Sequence, residues 1–209
     1  MESLDKKLTK QAHDFLLAIG KLNVRFANVD RAPRYPNGDR ENDIEHSFHL
    51  ALSAAELAAD YYPKLDTGLV TQFSLVHDLP ESYIGDTWTF AINDSDRNKK
   101  ELTEKKATEK LLKELPPHIA QLLKRYEKQT EPEARFVRYV DKLMPTVINS
   151  LASEASTFIQ DHGVTDTEML NIVLETHASR HQTMFPEYPF VHMVNDLLSQ
   201  TLKESLFKD

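Results

Sequence analysis

The chain has 209 residues, 40% of them apolar and 28% charged, which suffices for a packed core and excludes global disorder. It has no cysteine, so disulfides and thiolate ligands are excluded, and a net charge of −8 disfavours nonspecific binding to nucleic acid. Glycine occurs 5 times, against about 7% in an average protein, which argues against sheet-rich folds with many tight turns and against a glycine-rich phosphate loop.

In chain order the sequence reads as helices with no convincing strand. A first helix is expected over residues 4–27, with Leu4, Leu8, Phe15, Ile19, Leu22 and Phe26 at helical intervals. The segment Val29 to Asn42 carries Pro33, Pro36 and Asn37-Gly38 and reads as a loop. It is also basic: residues 21–40 hold five cations (Lys21, Arg25, Arg31, Arg34, Arg40) against Asp30 and Asp39. Asn42 with Glu45 three residues later reads as a capping box opening a helix over 43–61, which Pro63 ends. Asp66 or Thr67 opens the next helix, running through Val70, Phe73, Val76 and His77 before Pro80. A loop with Gly85-Asp86 and Trp88 leads into a highly charged helix from about Arg97 to Leu115, read as solvated surface.

Pro116-Pro117 break that helix, and a shorter one reaches Lys128. Pro132 sits near the first turn of a long helix through Asp141, kinked by Pro145. Thr165 with Glu168 is expected to cap another helix, and the last runs from about Tyr188 to Leu206. With no repeat and no long linker, residues 1–209 read as one all-α domain, a helical bundle. Lacking an N-terminal signal peptide and any apolar run of about 18 residues, it is expected to be cytoplasmic, with no membrane or nucleic-acid partner.

Four polar residues fall where helical periodicity predicts burial. His46 shares a stripe with Leu50, Ala54 and Leu57. His77 follows Phe73 by one turn, with Asp78 beside it, and Asp141 is flanked by Val137, Val140, Met144 and Ile148. A carboxylate on such a face costs several kcal/mol unless a cation meets it. Two imidazoles and two carboxylates suit one divalent transition metal (Mn, Fe, Co, Ni or Zn) better than an all-oxygen Mg²⁺ cage. Only His118 lies between the His-Asp pair and Asp141, which favours a single ion.

The order His…His-Asp…Asp over consecutive helices resembles the HD superfamily of metal-dependent phosphohydrolases. Arg40-Glu41-Asn42 before Glu45-His46-Ser47 is similar to the R-x-E-N-x-x-E-H-S stretch of bacterial 5′-deoxynucleotidases. So are His77-Asp78 followed by Glu81, Gly85 and Asp86, and the run Glu133-Ala134-Arg135-Phe136-Val137 leading to Asp141. The match covers about Arg31 to Leu151, and the flanking helices match only in character. The resemblance implies an HD-type fold, removal of phosphate from nucleoside 5′-monophosphates, and a homodimer. It also implies that Arg31 holds the phosphate and that Asp86, Thr87, Trp88 and Thr89 lie at the substrate. One departure is Ala32, where the deoxynucleotidases have a tryptophan.

Glu81, one helical turn beyond Asp78, is placed to move the proton of an attacking water, and Asp86 to orient that water or a sugar hydroxyl. Each residue has an alternative role. Asp141 could pair with Arg138 or Lys142; Glu81 could be a surface carboxylate, Asp86 a turn residue, Arg31 an ordinary loop charge with Arg34 or Arg40 taking the phosphate, and Trp88 a packing anchor. His49 reads as packed behind the site, and His177 with His181 as an exposed helix face. Besides the nucleotidase, a dNTP triphosphohydrolase and a noncatalytic nucleotide-binding protein share the same metal residues.

Overall fold

The computed structural model describes residues 2–85 and 105–207, so Asp86, Thr87, Trp88, Thr89 and most of the charged helix lie outside the described residues. Helix α1 spans Glu2–Phe26, and its last turns enter the core through Leu22 and Phe26. Where a loop was expected, Asp30–Arg34 (β1) and Arg40–Asn42 (β2) pair antiparallel, Asp30 opposite Asn42 and Arg34 opposite Arg40. The ribbon is short and carries charge and proline in place of the alternating apolar residues that mark a strand. Its support comes from outside itself. Arg40 donates to the carbonyls of Arg31 (3.2 Å) and Ala32 (3.0 Å), Thr157 donates to Ala32 O, and Asp161 takes both Arg34 (2.9 Å) and Arg40 (3.1 Å).

The ribbon ends in the expected capping box. The Asn42 side chain accepts from the N–H groups of Ile44 (3.0 Å) and Glu45 (3.1 Å), and Glu45 Oε2 accepts from Asn42 N (3.0 Å). That fixes the start of α2 (Asp43–Tyr61) one turn ahead of His46. Asp66 caps α3 (Thr67–Val76), accepting from Leu69 N at 3.0 Å. After a turn through His77–Pro80, the short α4 covers Glu81–Ile84 and stops at Gly85, whose φ of 74° suits glycine. Residues 105–111 form α5, and α6 spans Pro117–Lys128.

Helix α7 (Pro132–Asp141) ends at the aspartate, and α8 restarts at Met144–Ala152. The expected kinked helix is therefore two helices. Pro145 has no N–H for the Asp141 carbonyl, and the chain tightens instead, Lys142 N bonding Tyr139 O and Leu143 N bonding Val140 O. The single turn α9 (Thr157–Gln160) precedes α10 (Thr167–Met184) and α11 (Pro189–Leu206). Asp166, not Thr165, caps α10, accepting from Met169 N at 2.9 Å, while Thr165 donates to Asp166.

The described residues are helical apart from that ribbon, in keeping with the all-α expectation. Helices α2, α3 and α7 meet along Leu50, Ala54, Val70, Phe73, Phe136, Val137 and Val140, all fully buried. A smaller apolar cluster gathers Phe158, Val164, Leu170, Leu174 and Leu202. The Glu133–Val137 run locks this arrangement. Glu133 accepts from Asp66 N at the head of α3 (3.1 Å), and Arg135 donates to Met184 O at the end of α10 (2.7 Å). Among the described residues no helix is long and apolar enough to cross a membrane.

Candidate metal centre

Three helices deliver four side chains to one point: His46 from the first turns of α2, His77 and Asp78 from the end of α3, and Asp141 from the end of α7. One ligand atom from each lies within 4.8 Å of the others. His77 Nε2 stands 2.9 Å from Asp78 Oδ2, and His46 Nε2 is 3.1 Å from Asp141 Oδ1 and 3.2 Å from His77 Nε2. The wider pairs, His77 with Asp141 and His46 with Asp78, are at 3.7 and 3.8 Å. An ion bound at about 2.0–2.2 Å places its ligand atoms about 3 Å apart at right angles and about 3.5 Å apart at tetrahedral angles. The observed separations bracket these edges.

The tautomer also fits. His77 Nδ1 donates to Ser74 O at 2.8 Å, which leaves the Nε2 lone pair facing the centre, as metal-binding histidines require. Behind His46, its Nδ1 faces Glu41 Oε2 at 3.6 Å. Burial works against charge at Asp141, Asp78 and His77, yet it is overridden. The Lys142 charge and hydrogen bonds from His46 and His77 keep Asp141 well below the usual carboxylate range. The His77 charge and then Arg31 do the same for Asp78. For His77 the balance against burial comes chiefly from Asp78, then Asp141, and raises the imidazolium to about 10. A protein-only cluster that draws a proton to its centre so strongly is one whose donors call for a cation. The four residues fit a divalent transition metal.

A second group of carboxylates, Asp43, Asp78 and Glu81, adjoins the first, and Arg31 lies within it. Its Nη1 is 3.0 Å from Asp43, 2.8 Å from Asp78 and 3.8 Å from Glu81, and its Nε is 3.5 Å from Glu41. Glu41 and Asp43 are almost completely buried, and this guanidinium brings them a positive charge. Glu81 heads α4 with its N–H on Asp78 O (2.8 Å), which places its own carboxylate beside the centre.

The centre opens on a cavity of about 300 Å³. Its lining includes His77, Asp78, Glu81 and Asp141 together with Arg138, Lys142, Arg180 and His181. Asp141 serves both sides, Oδ1 toward the imidazoles and Oδ2 at 2.6 Å from Lys142 Nζ, so a salt bridge to Lys142 leaves its other oxygen facing the quartet. His181, expected on an exposed face, is instead 6% exposed and packs edge-on against Tyr139. Asp141, which lines the same cavity, comes from another helix, so local spacing carried no sign of it. Arg34 and Arg40 are bound to Asp161 and do not line the cavity. His49 is half-buried outside the quartet, and His118 is exposed.

A family model described as HD domain matches residues 25–184, a span that contains the whole quartet. The chain belongs to the HD family. This HD protein is similar in structure to a protein from Magnetospirillum magnetotacticum MS-1 described as a predicted metal-dependent phosphohydrolase. The two share 26% identity with a TM-score of 0.65, over 92% of this chain and 98% of that one. The HD phosphohydrolase DatZ of cyanophage S-2L, solved with dA and one catalytic Zn²⁺ ion, shares the fold at 16% identity and a TM-score of 0.50. That likeness covers 83% of this chain and 95% of DatZ. No curated protein matches the sequence.

Proposed function

We propose that this HD protein is a metal-dependent phosphohydrolase that removes phosphate from nucleoside 5′-monophosphates, deoxyribonucleotides among them. The observation that carries this reading is a buried His₂Asp₂ quartet, three of whose members (His77, Asp78, Asp141) line a cavity that Arg138, Lys142 and Arg180 also line. Its volume of about 300 Å³ is at the small end of ligand pockets. Four described carboxylates line it (Asp78, Glu81, Glu127, Asp141) against three permanent cations (Arg138, Lys142, Arg180), which leaves −1. A divalent ion brings the lining to +1, within one charge of balancing a phosphomonoester dianion. A triphosphate, with roughly twice that charge, would overrun it, which is why the monophosphate reading is preferred to triphosphohydrolase activity. DatZ, which shares the fold, binds dA and one catalytic Zn²⁺ ion, and this supports a nucleoside-containing substrate here.

A divalent ion held by His46, His77, Asp78 and Asp141 would supply Lewis-acid polarisation of a phosphoryl oxygen and would acidify water at the site. The protein does the rest. Glu81 accepts the proton of the attacking water and passes one to the leaving 5′-oxygen as the P–O bond breaks, so phosphate and nucleoside depart with one water consumed. Ser74 O fixes the His77 tautomer, and Arg31 holds Asp78 in place. A phosphate-release screen across dNMPs, NMPs, dNTPs and ppGpp, with each metal added in turn, tests the reading. Inorganic phosphate from the monophosphates is expected. Release of intact triphosphate from dATP with dAMP inert would replace it with the triphosphohydrolase.

A further inference from the structure

Arg31 is the residue the family resemblance appoints to the phosphate, yet its side chain is only 9% exposed and its Nη1 lies on Asp43 and Asp78. To receive a phosphate it would have to leave both of these carboxylates, one of them fully buried. The lining of the cavity has what Arg31 lacks. Lys142 Nζ sits 2.6 Å from Asp141 Oδ2, on the side of that carboxylate turned away from the imidazoles, and its side chain is 37% exposed. An oxygen placed at the open side of the quartet therefore comes within reach of this ammonium. Arg138 stands one helical turn before Lys142, and Arg180 comes from α10. Beside Arg180, His181 is buried against the same cavity, and its Nδ1 has no hydrogen-bond partner.

We infer that the phosphoryl group is received by Lys142 and Arg180, with Arg138 at the exposed edge, and that Arg31 is a positioning residue for Asp78. This rests on the phosphohydrolase reading above. It splits the site between the two halves of the chain. The part before residue 85 supplies three metal ligands and the proton-transfer carboxylate, and α7 to α10 supply the remaining ligand and the anion wall. The ligand class is a phosphomonoester dianion or its product, inorganic phosphate. A guanidinium can fork two of its oxygens while an ammonium bonds the third.

The test titrates inorganic phosphate into the metal-loaded full-length protein by calorimetry, with metal content measured for every variant. Lys142→Met and Arg180→Gln are each expected to weaken phosphate binding roughly 10-fold or more, and to raise KM for a monophosphate more than they lower kcat. Lys142→Arg should retain most of the affinity, and Arg34→Gln, on the Asp161 ion pair, should match the wild type. Unchanged phosphate affinity in both variants at equal metal content would overturn the assignment and leave the phosphohydrolase reading intact. So would loss of metal from Lys142→Met, which would make Lys142 a support for Asp141. If the metal-loaded wild type neither binds phosphate nor hydrolyses any phosphomonoester, both readings fall together.

Discussion

Replacing Arg31 by methionine keeps most of the side-chain volume and removes the cation. Four carboxylates then face one another without it: Glu41 and Asp43, exposed by 1% and 0%, and Asp78 and Glu81 beside them. Breaking a buried ion pair on one side costs about 3–5 kcal/mol. Because the group is buried, little of that is lost to solvent screening. Against a typical total of about 5–15 kcal/mol this is a large share, and with a urea m-value near 2 kcal/mol/M it lowers the unfolding midpoint by about 2 M. The assay is urea denaturation in excess chelator, so that metal binding does not enter the comparison. Adding Asp43→Asn in the Arg31→Met background should recover at least about 1 kcal/mol, since it removes one of the stranded charges. A midpoint shift below about 0.5 M, or strictly additive effects in the double variant, would refute the view of Arg31 as the cation that holds this carboxylate group together.

Asp141→Ala should abolish both metal occupancy and hydrolysis, checked by elemental analysis and phosphate release, because it removes a ligand shared by three helices' worth of site. Glu81→Gln should keep the metal and lower kcat by roughly 10²–10⁴-fold; loss of metal in that variant would give Glu81 a ligand's role instead. Phe136→Ala, at a fully buried position packed against Tyr62 and Tyr188, should cost about 3–5 kcal/mol in the same urea assay. Burial lowers the His181 pKa from 6.5 to about 4. The unfolded chain thus binds the extra proton first, and stability falls as pH drops from about 6.5 to about 4, by at most about 3 kcal/mol from this group. His181→Gln should flatten that part of the stability profile measured in chelator, and an unchanged slope would show that His181 does not titrate this way.

Helical periodicity alone placed His46, His77 and Asp141 on inward faces, because a polar residue on an apolar stripe betrays itself within one or two turns of its own helix. The capping box at Asn42 was legible for the same reason: its donors and acceptors lie three residues apart. What the sequence did not show depends on contacts between distant segments. The β-ribbon exists because Asp161, about 120 residues on, receives Arg34 and Arg40, and nothing in Asp30–Asn42 announces that partner. Asp141 could be read as a metal ligand or as a partner of Lys142, and only the folded site shows one of its oxygens facing the imidazoles while the other meets Lys142. The anion wall is of the same kind. His177, Arg180 and His181 carry no pattern that separates them from a solvated helix face until α10 is laid beside the end of α7. Local order in this chain is set by neighbours three and four residues apart, which sequence displays. The charge balance of its site is set by residues 12 to more than 90 positions apart, which only the tertiary structure brings together.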